Sequence, residues 1–265
     1  MAEDYQRYRT AAERIAAEAG ELLRNAHGKV RAREKGPSDL VTEADFASQE
    51  LIARRLNEAF PDHTLLAEEE GAETDLTNPW RWVVDPLDGT MNFAHGFPFW
   101  VVSIALEYAG RLVVGVVYDP ISRQTYSASL GQGAMLDGRP IRVSAVDRLE
   151  NGLIATALPY DFEADADRQT AYMRRFSTNT HSLRRTGSSA LNLALVAAGG
   201  CDVCYATWMH PWDAAAGIVL VREAGGLVTK FSGEDHDLYA MEILATNGRV
   251  HEASIRALAE AWPVR

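Results

Sequence analysis

Trp82-Val83-Val84-Asp85-Pro86-Leu87-Asp88-Gly89-Thr90-Met91-Asn92-Phe93 is the stretch from which the rest of the chain is most readily read. An apolar run ends in two carboxylates three positions apart, spaced across a proline, and then passes through Gly-Thr into a helical pattern. The pattern predicts a buried strand that stops at Asp85, a turn carrying Asp88, and a helix that starts near Thr90. Hard divalent ions such as Mg²⁺ prefer oxygen ligands, and Asp85, Asp88 and the Leu87 carbonyl can converge on one or two of them. Free N–H groups at Gly89 and Thr90 would then offer an anion site facing the same ions. Asp-Gly is also a common turn former, so the string alone leaves a purely structural role open for both acids.

Two other acidic positions bear on that choice. Upstream, the apolar run Thr64-Leu65-Leu66-Ala67 ends in Glu68-Glu69-Glu70. Consecutive acids commonly form a solvated face, which is the reading for Glu69 and Glu70. Glu68 is nearest the strand edge, where a sheet would present it beside Asp85. Downstream, His210-Pro211-Trp212-Asp213-Ala214-Ala215-Ala216-Gly217 places an acid in the first turn of a small-residue helix. Alone, such an acid is a partner for the helix dipole; added to the other carboxylates, it makes a fourth candidate ligand.

Around these positions the chain reads as a series of elements. Apolar residues at spacings of three and four from Tyr5 to Ala26 predict a helix ended by His27-Gly28, followed by a basic connector from Arg31 to Ser38. Thr42 with Asp45 three residues on is a capping pattern that opens a second helix, running to about Phe60. Ala109-Gly110-Arg111 and Asp137-Gly138 are hairpin signals between strand-like runs. Residues 1–150 therefore read as an α+β half with a largely antiparallel sheet. Strand-like and helix-like segments alternate over residues 151–265, an α/β half. No flexible linker separates the halves, which predicts one rigid unit with a cleft at the junction.

Composition narrows the function classes. The 265 residues are 47% hydrophobic and carry a net charge of −11, so the global field attracts neither nucleic acid nor an anionic membrane. A carboxylate cluster filled with cations can still present a positive site to a phosphate ester. The sequence contains no apolar run long enough to span a bilayer and no signal-peptide pattern, so a cytoplasmic location is expected. Cys201 and Cys204 have the C-x-x-C spacing, but they flank a strand-like run without a second ligand pair and read as small core residues.

Taken together, Glu68, the Asp85 to Thr90 motif with Asn92, and Trp212-Asp213-Ala214-Ala215 resemble the paired signatures of the inositol monophosphatase family of Mg²⁺-dependent, lithium-sensitive phosphatases. Lys35-Gly36-Pro37-Ser38-Asp39-Leu40-Val41-Thr42-Glu43-Ala44-Asp45 and Gly187-Ser188-Ser189-Ala190 match two further motifs, in order along nearly the whole chain. The resemblance implies a five-layered α/β/α/β/α sandwich and a homodimer. It implies two or three Mg²⁺ held by Glu68, Asp85, the Leu87 carbonyl, Asp88 and Asp213, with Gly89 and Thr90 on the phosphate. Asp45 and Thr90, with Glu68, would be the catalytic residues, the first two orienting and deprotonating a water that attacks phosphorus in line under two-metal catalysis. Gly187, Ser188 and Ser189 would border the substrate, together with Glu68, Leu87, Asp88, Gly89, Thr90 and Asp213.

The implied activity is hydrolysis of a small alcohol phosphate, myo-inositol 1-phosphate being the family default. Histidinol-phosphate and nucleotide 3′-phosphatases of the same fold are alternatives, as is an interaction role with transcription machinery. Inositol-specific members carry a Glu seven residues before the Asp of the Trp-Asp helix. Ala206 stands there in this chain, which implies a looser preference among polyol phosphates. A bisphosphate would need extra basic residues, and only Arg184-Arg185 stands near the implied substrate positions, where a surface, dimer or partner role is equally open. Lys35 reads as an exposed cation with an electrostatic role near the site as the alternative. His95 and His210 have no part in an oxygen-only metal site. The aromatic segment Phe93 to Trp100 is hard to bury in one small sheet, which supports the dimer.

Overall fold

The computed structural model describes residues 5–29, 32–36, 39–69 and 77–263. The expectations for Arg31, Pro37, Ser38 and Glu70, and for the side chain of Lys35, lie outside the described residues. Helix α1 (Gln6–Ala26) buries Tyr8, Ala12, Ile15, Ala16, Ala19 and Leu23 on one face, as its three-and-four spacing requires. Helix α2 (Glu43–Ala59) begins at a capping box: the Ala44 N–H donates to Thr42 Oγ1 at 3.1 Å and the Thr42 N–H donates to Asp45 at 2.8 Å. Between them the expected connector contains an antiparallel strand pair, β1 (Ala32–Gly36) and β2 (Asp39–Thr42), with Arg33 opposite Val41 and Glu34 opposite Leu40. A mostly polar hairpin has too few apolar residues to show the period of two from which strands are read.

A seven-stranded sheet follows: β3 (Thr64–Ala67), β4 (Trp80–Asp88), β5 (Val101–Tyr108), β6 (Arg111–Asp119), β7 (Gln124–Ser129), β8 (Ala134–Leu136) and β9 (Arg139–Ile141) lie side by side in that order. Only β3 and β4 run parallel; the other pairs are antiparallel. The short helix α3 (Thr90–Ala94) leaves the end of β4. Both hairpin signals hold, with positive φ at Ala109 and Gly110 and at Asp137 and Gly138.

The second sheet contains β10 (Leu153–Ala157), β11 (Ser182–Arg185), β12 (Val203–Ala206), β13 (Leu227–Thr229) and β14 (Ile243–Thr246) in the order β11-β10-β12-β14-β13. Its helices are α4 (Ala166–Asn179), α5 (Ser189–Ala197), α6 (Pro211–Glu223) and α7 (His251–Ala261).

Three apolar clusters order these parts into layers. Successive residues on a strand face opposite ways, and β4 uses both directions. Trp82 and Val84 join Ile15, Leu23 and Ile52 beneath α1 and α2, whereas Val83 joins Leu193, Ala216 and Val219 of α5 and α6. Ala155 and Cys204 close α5 and α6 from the far side, and Ile154, Val203 and Tyr205 pack with Tyr172, Phe176 and Leu258 of α4 and α7. The result is helices, seven-stranded sheet, helices, five-stranded sheet, helices: the five-layered sandwich.

Burial settles the cysteines and much of the aromatic segment. Cys201 and Cys204 are buried free thiols; burial pushes Cys201 up to about 11 and Cys204 further, so neither is a thiolate. Phe93 and Trp100 are core residues, packed edge to face at 4.9 Å, and Trp82 is buried as well. The dimer argument from that segment therefore contracts to Phe97, which is 53% exposed. No helix among the described residues is long and apolar enough to cross a membrane.

Candidate active site

Strand β4 does not stop at Asp85. Asp85 pairs with Ser103 and Asp88 with Val101, and the register shifts between them, so the expected turn is a bulge inside the strand. Pro86 has no N–H to give to a ladder and is tolerated at such an irregularity. The Asp85 carboxylate accepts the Leu87 N–H at 3.0 Å, and the Pro86 carbonyl accepts the Ser48 hydroxyl at 2.8 Å. The bulge is thereby fixed from α2 and from within.

Two glycines let the chain close around it. Gly89, at φ 98°, leads into α3, and a Cβ there would stand 3.0 Å from the Phe99 carbonyl and 3.1 Å from Trp100 Cβ. Gly187, at φ 87°, lies so near Asn92 that a Cβ would approach its amide to 2.8 Å. The Asn92 amide donates to the carbonyls of Phe99 at 2.7 Å and Thr186 at 2.9 Å, bridging the metal-motif loop to the segment before α5.

That bridge brings the start of α5 onto Asp88. The N–H groups of Ser189 and Ala190 donate to its two carboxylate oxygens at 3.0 and 2.8 Å, and the Ser188 hydroxyl donates to the second oxygen. Unsatisfied first-turn donors and the helix dipole both favour a carboxylate there. The buried Ser188 is the N-cap of α5, and its hydroxyl donates to Asp88. Ser189 likewise spends its N–H on Asp88.

Asp213 arrives from α6, at the third helical position after His210, whose N–H donates to Asp213 Oδ2 at 2.9 Å. Carboxylate oxygens of Asp85, Asp88 and Asp213 lie within 4.8 Å of one another, a group able to hold a metal ion. The parallel register of β3 and β4, Ala67 opposite Val84, puts Glu68 at the neighbouring strand end, where its charge raises the Asp85 carboxyl. Glu68 stands beside the group of three. Glu69, expected in solvent, is buried: its N–H donates to Gln49 Oε1 at 2.9 Å and its carbonyl accepts from Gln49 Nε2 at 3.2 Å.

The electrostatics of the cluster follow from burial of like charges. Desolvation, then Glu68, Asp88 and Asp213, hold Asp85 well above the usual carboxylate range. Desolvation and Asp88 push Asp213 up to about 7. Asp88 is raised by burial, and its bonds from Ser188 and the α5 backbone oppose the shift. Without cations the cluster favours retaining protons, which a divalent ion held there would replace.

Asp45 serves two neighbours at once. Its Oδ2 accepts from the Thr42 N–H and, at 2.6 Å, from the Thr42 hydroxyl, while Oδ1 stands 2.9 Å from Thr90 Oγ1. Thr90 Oγ1 is also 3.0 Å from the Leu87 carbonyl, and its single proton can satisfy only one of the two. Burial raises the Asp45 carboxyl, with the Thr42 and Thr90 bonds working against it.

The remaining positions fall outside this constellation. Arg184 and Arg185 are exposed on β11, an edge strand, and His95 is exposed. Ala206 is fully buried in β12 between Ala157 and Ile243, so its methyl belongs to the core. Ser48 and Gln49 position the site alongside Asn92, and nothing in their local sequence marks them, because each acts on a backbone group distant in the chain.

A model of the inositol monophosphatase family matches residues 4–262. The chain belongs to that family. It is 44% identical over 253 residues to inositol monophosphatase 2 of Solanum lycopersicum, covering 93% of this chain and 96% of that one. It is 39% identical over 249 residues to the Nus factor SuhB of Salmonella typhimurium, covering 93% of each. The structure of the inositol monophosphatase of Anabaena (Nostoc) superposes with a TM-score of 0.90 at 36% identity, covering 99% of both chains. As an inositol monophosphatase family member the chain is a phosphoric monoester hydrolase.

Proposed function

We propose that this phosphatase is a Mg²⁺-dependent phosphomonoesterase acting on a small alcohol phosphate by two-metal, in-line attack of water. The observation that carries the reading is the convergence of Asp85, Asp88 and Asp213 within 4.8 Å. Burying like charges so closely costs free energy that a bound divalent cation offsets, and an all-oxygen donor set suits Mg²⁺. Asp85, Asp88, Asp213, the Leu87 carbonyl and Glu68 would hold the ions. When bound, they supply the positive charge that draws a phosphate ester into an acidic molecule and stabilises the leaving oxygen.

The chain's own residues orient and deprotonate. Thr90 places its hydroxyl between Asp45 and the Leu87 carbonyl, a position from which it can orient a water, and Asp45 takes the proton. Its raised carboxyl makes it a stronger base than an exposed Asp. Glu68 acts beside them at the end of β3. Gly89 and Thr90 would hold the phosphate, and a homodimer is part of the same reading, supported by exposed Phe97.

Phosphate release from glycerol 2-phosphate, with Mg²⁺ and with a chelator, tests this. Activity should need Mg²⁺, and Asp88→Asn should lose most of it while keeping its fold by circular dichroism. Full activity in Asp88→Asn would sink the assignment. The relative named Nus factor supports a second reading, a protein-interaction role, with the exposed Arg184-Arg185 edge as one candidate surface. Stoichiometric recovery of RNA polymerase in a pull-down, with no turnover of any phosphate ester, would reverse the order of the two.

A further inference from the structure

The segment joining β12 to α6 leads into Asp213, and its chemistry is uneven. Ala206 is buried, Met209 is buried, and the Thr207 hydroxyl accepts from Gln169 Nε2 at 2.5 Å. No carboxylate or amide side chain occurs from Ala206 to Trp212. What the segment presents is rings: Trp208 is 48% exposed, and its indole N–H donates to His210 Nε2 at 3.3 Å. The His210 ring stands edge-on to Trp208, with centroids 5.9 Å apart, and stacks on Trp212 at 4.9 Å and 13°. The backbone N–H of the same His210 donates to Asp213 Oδ2. An exposed indole is thus fixed in orientation and tied, through one residue, to a candidate metal ligand.

A fixed, half-exposed aromatic ring continuous with a catalytic centre is a contact surface, because exposing it in isolation wastes apolar area. We propose that Trp208 is the specificity-determining wall of the alcohol subsite, and that it selects phosphate esters whose alcohol carries a flat aromatic or heteroaromatic face over polyhydroxylated ones. The inference rests on the phosphatase reading given above and adds the substrate class. Ring hydroxyls of a polyol find no carboxylate on this wall, and a site without such an acceptor gains little from them. A flat face stacks on the indole at small entropic cost, since the His210 bond has already oriented it.

Two primary alkyl esters with comparable leaving groups, 2-phenylethyl phosphate and glycerol 1-phosphate, separate the possibilities. With Mg²⁺, wild type should favour 2-phenylethyl phosphate in kcat/KM by about tenfold, the order of one aromatic contact. Trp208→Ala should lose that preference through KM with kcat retained, change glycerol 1-phosphate less than twofold, and recover in Trp208→Phe. Equal kcat/KM for the two esters in wild type, or equal losses for both in Trp208→Ala, overturns the inference and leaves the phosphatase reading standing. A halved mass for Trp208→Ala in light scattering also overturns it, since the indole would then belong to a subunit interface. If wild type hydrolyses neither ester, the phosphatase reading fails, and indole fluorescence decides the contact. Quenching by 2-phenylethyl phosphate that is lost in Trp208→Phe supports the ring contact; no quenching in wild type overturns it.

Discussion

Asp88 and Ala190 are 102 positions apart in the chain, and the N–H of one lies 2.8 Å from the carboxylate of the other. With Ser188 and Ser189 adding their own donors, the first turn of α5 holds Asp88 in one orientation. Groups that fix a ligating carboxylate typically change metal affinity 10–100-fold when removed, by the general behaviour of such supports. Ser188→Ala should therefore weaken Mg²⁺ activation by roughly that factor while lowering Tm by only a few degrees, as loss of an N-cap does. A Mg²⁺ titration of phosphate release reads the first effect and a thermal melt the second. Unchanged Mg²⁺ dependence would mean that the hydroxyl serves only the helix.

Asp45 separates capping from chemistry through its two oxygens. Thr42→Ala removes the hydroxyl donor on Oδ2, and the acceptor for the Ala44 N–H, while keeping the backbone donor, and should cost about 0.5–2 kcal/mol of stability, with turnover largely kept. Asp45→Asn removes the base and should lower kcat by roughly 10²–10⁴-fold with little change in Mg²⁺ affinity. Steady-state kinetics beside denaturant melts check the split. Wild-type kcat in Asp45→Asn would confine Asp45 to its capping role.

Stability should depend on pH in a direction set by the cluster. Asp213 sits at about 7 and Asp85 is also raised, so in the metal-free fold these groups keep protons that the unfolded chain releases near 4. Between those values the folded state binds more protons than the unfolded state, so stability falls as pH rises, by up to ~1.4 kcal/mol per pH unit for each group. Mg²⁺ removes the repulsion. The gain in Tm on adding Mg²⁺ should accordingly grow from pH 5 to pH 8. Taking that difference cancels the opposite contribution of buried His236, which burial holds down at about 4 and whose stabilisation is lost below the ordinary His range. A Mg²⁺ gain that shrinks with pH would contradict the account.

Phe97 carries what remains of the dimer expectation. Light scattering at micromolar concentration should give twice the 29.1 kDa chain mass, and Phe97→Asp should shift it toward the single-chain value. A wild-type mass near that of one chain removes the dimer from the reading.

How far the sequence reveals this molecule depends on whether the governing interaction is local. The α1 stripe, the Thr42-Asp45 box and both hairpin turns are set within a few residues, and they are readable because helix period, cap and turn chemistry leave their mark there. The five layers were legible through the order of motifs. The β1 and β2 pair was not, since a polar hairpin has no apolar alternation, and the bulge at Asp85 to Asp88 looked like a turn because proline and Asp-Gly serve both. The Ser188 bond to Asp88 and the burial of Glu69 were not legible for one reason: their partners, Asp88 and Gln49, lie 100 and 20 residues away.

The central claim, that Asp85, Asp88 and Asp213 make one metal-dependent phosphatase centre, is tested most directly by phosphate release across a Mg²⁺ titration of wild type and Asp213→Asn. The account predicts no wild-type release in chelator and a saturable rise with Mg²⁺. It also predicts that Asp213→Asn, folded by circular dichroism, stays at least 10²-fold below wild type at every concentration, about the loss expected when a principal electrostatic contact in the site is removed. Wild-type turnover that persists in chelator, or an Asp213→Asn curve that overlays wild type, contradicts it.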